Sequence, residues 1–142
     1  MKEELITFET SKLAYEKGYT REEVGVSFTS TRRNYYNANG KLNGDCTDFI
    51  KDVLKYGRNK AKVSHIIYPA TSQSLLQKWL REKYGYHIVL IPTITTYWTF
   101  KIVNVLKKNT MEIPPYTDVS GKDFTTYEEA LEEGLQEALK LI

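Results

Sequence analysis

Between residues 72 and 105 the apolar period switches from helical to extended, and this switch constrains the fold more than any other feature of the chain. Leu75, Leu76, Trp79 and Leu80 form one helical stripe, with Tyr84 at its lower end. Gln73, Gln77, Lys78, Arg81 and Glu82 face the other way. Ser72 is placed to cap this helix and Gly85 to stop it. The spacing therefore predicts a helix over 73–84. Two strands follow, about 86–91 and 97–105, joined by Pro92 to Thr96. In the second, Trp98, Phe100 and Ile102 share a face, with Tyr97, Thr99 and Lys101 opposite. A helix leading into paired strands calls for helices packed on a sheet.

The remaining chain supplies more of both. A short helix over about 8–17 is capped by Thr7 and ended by Gly18. Val24, Val26 and Phe28 alternate with Gly25 and Ser27, which reads as a half-buried strand. Asn37 to Gly40 ends it, with Asn39-Gly40 as a tight-turn signal. Residues 46–56 read as a helix with Phe49, Ile50, Val53 and Leu54 on one face, Asp45 as cap and Gly57 as stop. Val63 to Tyr68 reads as a strand ended by Pro69. Residues 107–124 are polar, hold Pro114-Pro115 and Gly121, and read as a long loop. The last helix spans 127–141, with Thr126 and Glu129 as a capping box. Its stripe is Tyr127, Ala130, Leu131, Leu135, Ala138 and Leu139, and its glutamates form a wet face. Gly134 interrupts it at a cost of about 1 kcal/mol relative to Ala, which a close neighbour would explain.

The expected fold is thus one α+β domain over residues 1–142. A small, mainly antiparallel sheet carries helices at about 8–17, 46–56, 73–84 and 127–141, in the order α-β-(α)-β-α-β-β-α. Trp79, Leu75, Leu76, Leu80, Trp98, Phe100, Ile102, Leu131 and Leu135 are the expected core. A chain of 142 residues buries about two-thirds of the surface its unfolded form exposes, and needs no disulfide or metal to fold. Cys46 is the single cysteine, which suits a reducing compartment. The charged start Met1-Lys2-Glu3-Glu4 does not read as a signal peptide. The longest aliphatic run is Ile88 to Ile91, far short of the about 20 apolar residues a membrane helix needs. The expected setting is the cytoplasm, with no membrane partner.

Residues 68–83 read Tyr-Pro-Ala-Thr-Ser-Gln-Ser-Leu-Leu-Gln-Lys-Trp-Leu-Arg-Glu-Lys, and the chain ends Tyr-Glu-Glu-Ala-Leu-Glu-Glu-Gly-Leu-Gln-Glu-Ala-Leu-Lys-Leu-Ile. This pairing resembles a family of small proteins encoded by phages and prophages of gut bacteria. Residues 6–19 look like that family's start. The likeness is poor across 29–66 and 106–122. Thr71 stands where the family usually has Pro, and Ser72 where it has Thr; Ser caps as Thr does. The resemblance implies a phage or prophage origin and expression in a bacterial host cell. No catalytic residue carries over with it.

No catalytic constellation emerges from the residues themselves. Cys46, His65 and His87 are widely spaced and lack the paired ligand motif of a zinc site. The surroundings of Cys46 match no nucleophile context. Gly121-Lys122 is preceded by no Gly at phosphate-loop spacing. No cofactor is expected. Charge is more telling. Residues 30–63 carry eight Lys/Arg and three Asp, a balance of +5, and residues 122–142 carry two Lys and six Asp/Glu, a balance of −4. Arg32, Arg33, Lys51, Lys55, Arg58, Lys60 and Lys62 interleave with Tyr35, Tyr36 and Tyr56. Phosphate neutralisation with base stacking uses those residue types. So does an ordinary solvated face.

Three classes of function stay open. The first is a non-catalytic accessory protein that binds a host or phage protein, or a second copy of itself. The second is nucleic-acid binding through residues 32–62. The third is a small enzyme of unrecognised type. The candidate binding residues are Arg32, Arg33, Lys55, Arg58, Lys60, Gln77, Lys78 and Arg81.

Overall fold

The structure, a computed structural model, describes residues 4–20, 35–42, 51, 54–57, 68–93, 96–104, 116–118 and 123–142. The chain is α+β, with antiparallel sheets. Its contacts gather into two compact units, residues 7–71 and residues 1–6 with 72–142.

The first unit holds helix α1 (Phe8–Glu16) and a two-stranded sheet, β1 (Tyr35–Tyr36) and β2 (Tyr68–Pro69). The Thr7 hydroxyl accepts from the Thr10 N–H, as a cap should. Past the helix, the Tyr19 N–H reaches Ala14 O at 2.9 Å and the Gly18 N–H reaches Tyr15 O at 3.0 Å. That pair of bonds closes the last turn in a Schellman motif. Tyr35 pairs with Pro69 and Tyr36 with Tyr68. Pro69 is the last residue of the strand, which ends there as expected. The strands expected at 24–28 and over 63–67 lie outside the described residues.

Aromatic rings meet around the buried Tyr68 in this unit. Phe8 meets Tyr36 and Tyr68 edge-on, at 5.7 and 5.6 Å between centroids, and Tyr15 meets Tyr68 at 5.2 Å. Asn37 to Lys41 turn the chain under them. The Asn37 N–H donates to Lys41 O, and the Asn37 side chain accepts from the Asn39 and Lys41 N–H groups. Of the Asn39-Gly40 pair, only Gly40 adopts positive φ, at 82°. It also lets Phe8 approach, since a Cβ there would stand 2.9 Å from Phe8 Cδ1.

Two buried hydroxyl contacts complete the unit. Ser11 Oγ donates to Pro69 O at 2.6 Å, and Tyr19 Oη lies 2.8 Å from Thr71 Oγ1. Burial pushes the Tyr19 phenol above its usual pKa, partly offset by the Thr71 hydrogen bond. Folding thus favours the protonated phenol. Its contribution is present below the unfolded pKa of about 10 and is lost as pH rises through the higher folded value. The stability gap between the native chain and Tyr19→Phe should therefore shrink as pH climbs past about 10. Urea unfolding of both proteins at neutral and alkaline pH checks this, and a gap that holds or grows would contradict it.

The second unit holds helix α2 (Gln73–Tyr84), the meander β3 (Tyr86–Pro92), β4 (Trp98–Asn104) and β5 (Tyr116–Asp118), and helix α3 (Tyr127–Lys140). Ser72 accepts from the Leu75 N–H, and Gly85 turns out of α2 at φ 75°, a conformation that suits Gly. The sheet order is β3-β4-β5, antiparallel throughout. α2 packs on β3 and α3, and α3 packs on β3 and β4. Ahead of α2, Leu5 bridges to Ser72 and the Gln73 N–H donates to Glu4 O at 2.9 Å.

β5 corrects the expectation of an irregular loop over 107–124. Tyr116 pairs with Val103, Thr117 with Ile102 and Asp118 with Lys101. Further along, Trp98 and Phe124 exchange both backbone bonds, at 2.7 and 2.8 Å. Pairing to the open side of β4, not local pattern, makes these residues extended. Pro114-Pro115 lies just before the strand and masks it in the sequence.

Gly134 is explained by a close neighbour. A Cβ there would stand 2.8 Å from Ile88 Cγ2 and 3.3 Å from Phe100. Ile88, Phe100, Ile102, Leu76, Leu80, Leu131 and Leu135 are buried as this unit's core. Each fully buried side chain of this kind contributes about 1.5–3 kcal/mol.

The apolar stripes are placed differently from expectation in two helices. In α2, Gln73, Leu76 and Leu80 are buried, while Leu75 is 39% exposed. Trp79 is half-buried, edge-on to Tyr84 at 5.2 Å and with Lys83 Nζ 5.5 Å over its ring. In α3, Tyr127 is exposed, and it meets the half-buried Trp98 edge-on at 5.2 Å. Glu132, Glu133 and Glu137 are half-buried instead of fully wet. The physical reason for the turn of α2 is polar. Gln73 Nε2 donates to Glu128 O at 3.0 Å and to Glu132 Oε2 at 2.8 Å, which satisfies a buried amide and draws that face inward.

Candidate functional site

β3 and β4 place their residues on two faces, and the register says which residues share one. Ile88 lies opposite Ile102, and Leu90 opposite Phe100. The approach of Gly134 to Ile88 and Phe100 puts this row under α3. The alternate row lies on the other face: His87 opposite Val103, Val89 opposite Lys101, Ile91 opposite Thr99. Val89 is 45% exposed, and the other five are half-buried.

Half of that outer row is apolar. An antiparallel sheet with one packed face commonly turns polar residues to solvent on the other. Here Val89 and Ile91 follow one another on β3 and Val103 lies diagonal to Val89 on β4, interleaved with His87, Lys101 and Thr99. Such a face fits a surface that another protein covers. No site residue was expected there from sequence. A signal existed nonetheless, in the unbroken run Ile88-Val89-Leu90-Ile91. A strand with one wet face alternates, and a strand apolar on both faces does not.

The expected site residues scatter. Arg32, Arg33, Arg58 and Lys60 lie outside the described residues. Lys55 is exposed on a helical stretch at 54–56, with its Nζ 5.1 Å from the Tyr56 ring centroid. Leu54 beside it is 83% exposed, contrary to the packed face expected for 46–56, most of which is not described. On α2, Lys78 and Arg81 are exposed, and Lys78 stands 3.8 Å from Glu82. Gln77 does not join them. Its Nε2 donates to Ile88 O at 3.1 Å. A recognition face of Gln73, Gln77, Lys78 and Arg81 therefore does not exist as a unit, because both glutamines are turned into the structure.

The chemistry of the described residues is otherwise quiet. No group of three or more His, Cys, Asp and Glu among them stands close enough to hold a metal ion. No helix among them is long and apolar enough to cross a membrane. His87 sits in β3, while Cys46 and His65 lie outside the described residues. Set against family models, curated proteins and solved structures, the chain finds no match.

Proposed function

We propose that this protein is a non-catalytic protein-binding module whose partner covers the outer face of the β3–β4 pair. The apolar strip of Val89, Ile91 and Val103 on the face away from α3 carries the reading. Burying such a strip yields about 25 cal/mol for each Å² of apolar surface removed from water. His87, Thr99 and Lys101 would give it a polar rim. With the resemblance suggested by residues 68–83 and the last helix, the reading is of an accessory protein of a phage or prophage in a bacterial host cell. The partner is then a host or phage protein, or a second copy of the chain.

Val89→Glu tests the surface with little risk to the fold. Its side chain is already half in water, so a carboxylate there stays solvated in the isolated chain. Stability should change by less than about 1 kcal/mol. Capture of a partner from host lysate by the tagged protein should fall at least about tenfold, since a buried charge at an interface centre costs well over 1.4 kcal/mol. Undiminished capture by the folded variant would remove this surface from the argument.

A second reading, nucleic-acid binding, draws on the exposure of Lys51, Lys55 and Tyr56, all three helical residues of the basic middle of the chain. Treating the same lysate with nuclease separates the two. Partners that survive digestion support the protein-binding module. Partners lost on digestion, with retention that falls steeply as salt rises, support the basic segment at 32–62.

A further inference from the structure

β3 is an edge strand in the order β3-β4-β5, and its backbone polarity follows from the register. Trp98 exchanges both backbone bonds with Phe124, so its N–H and C=O point away from β3. Antiparallel partners alternate between bonded and non-bonded pairs. Thr99, Lys101 and Val103 therefore point toward β3 and bond Ile91, Val89 and His87. The backbone groups of Tyr86, Ile88, Leu90 and Pro92 turn outward, to the side of β3 on which no strand pairs among the described residues. The Thr93 N–H bond to Tyr97 O, at 2.8 Å, keeps the same alternation at the turn.

An edge of this kind is a template for another strand. It is also self-complementary. In a two-fold antiparallel pair of β3 strands centred on Ile88, each Ile88 would exchange both bonds with its copy. Tyr86 would meet Leu90, and Leu90 would meet Tyr86. Every outward N–H before Pro92 would be used. The Ile88 carbonyl is the central acceptor of that arrangement, and the Gln77 amide of α2 already stands against it, donating at 3.1 Å, where the strand of a second copy would have to lie. Pro92 has no N–H with which to extend the pairing.

We infer that Gln77 is an edge guard, which closes β3 to strand pairing with a second copy of this chain. The guard sits on a helix, so it holds only while α2 is docked on β3. This role is separate from partner capture by the outer face, because it concerns the strand's edge and is read on the purified protein alone.

The test replaces Gln77 by Met, which keeps the length and removes the donor. Lys78→Met is the control, since it adds the same apolar side chain at the next, exposed position. Light scattering behind size exclusion, from micromolar to millimolar protein, reads self-association. Gln77→Met should associate about tenfold more tightly than the native chain, the effect of clearing the Ile88 acceptor in each copy for an intermolecular bond. Amide exchange at Ile88 and Leu90 should slow in the associated form. Gln77→Ala gives a second reading should the Met variant fold poorly. Association no tighter than native in both variants, or equal association in Lys78→Met, would overturn the inference.

Discussion

Gly134→Val is expected to destabilise the protein by roughly 3 kcal/mol, at the upper end of what overpacking a tight core costs. The helix itself would not object strongly to a side chain, since Gly in a helix interior is about 1 kcal/mol worse than Ala. The objection comes from β3 and β4. A Cβ at position 134 would stand 2.8 Å from Ile88 Cγ2 and 3.3 Å from two Phe100 ring atoms. Neither neighbour yields easily. The Ile88 methyl is fixed to a branched Cβ whose rotation is restricted, and Phe100 is fully buried. Gly134→Ala opposes the two terms directly, with propensity gaining about 1 kcal/mol and overpacking losing 1–3. It should come out mildly destabilising, and less so than Val. Urea unfolding measures both, and the Val variant should also lose on the order of 10 °C in Tm. A stabilised Gly134→Ala would mean that α3 stands farther from the sheet than the structure has it.

That glycine was legible in part. Its cost in a helix is a sequence fact, and a close neighbour follows from it as a demand. Which residues make the neighbour depends on the register of β3 against β4 and on where α3 crosses them. The element boundaries were legible for a related reason, since Thr7, Ser72, Gly85 and Thr126 act on backbone groups only a few residues away. What depended on distant partners was not. β5 is three residues long and is extended because β4 offers it an open side. Gln73 and Gln77 look like surface residues in any local pattern. Each is turned inward by one remote acceptor or more: Glu128 O and Glu132 for Gln73, Ile88 O for Gln77. The outer apolar strip was readable from Ile88 to Ile91, but the run shows only that both faces are apolar. Pairing with β4 is needed to say which face α3 leaves open.

Leu80→Ala and Leu75→Ala provide the second large effect and the sharper contrast. By sequence the two leucines are equals in one stripe. In the structure Leu80 is fully buried and Leu75 is 39% exposed. Leu80→Ala should therefore cost about 2–5 kcal/mol, the transfer of the lost methyl and methylene groups plus the cavity they leave. Leu75→Ala should cost about 1 kcal/mol or less, because much of the side chain already lies in water, no closed cavity is left and Ala is the better helix former. The pair thus measures how α2 is rotated about its own axis. Equal costs would restore the stripe of Leu75, Leu76, Trp79 and Leu80 as the buried face. They would also turn Gln77 away from Ile88, and the guarded edge of β3 would go with it. Unequal costs in the expected order would place Gln73, Leu76 and Leu80 inward, and would leave Lys78 and Arg81 as the outward residues of that helix.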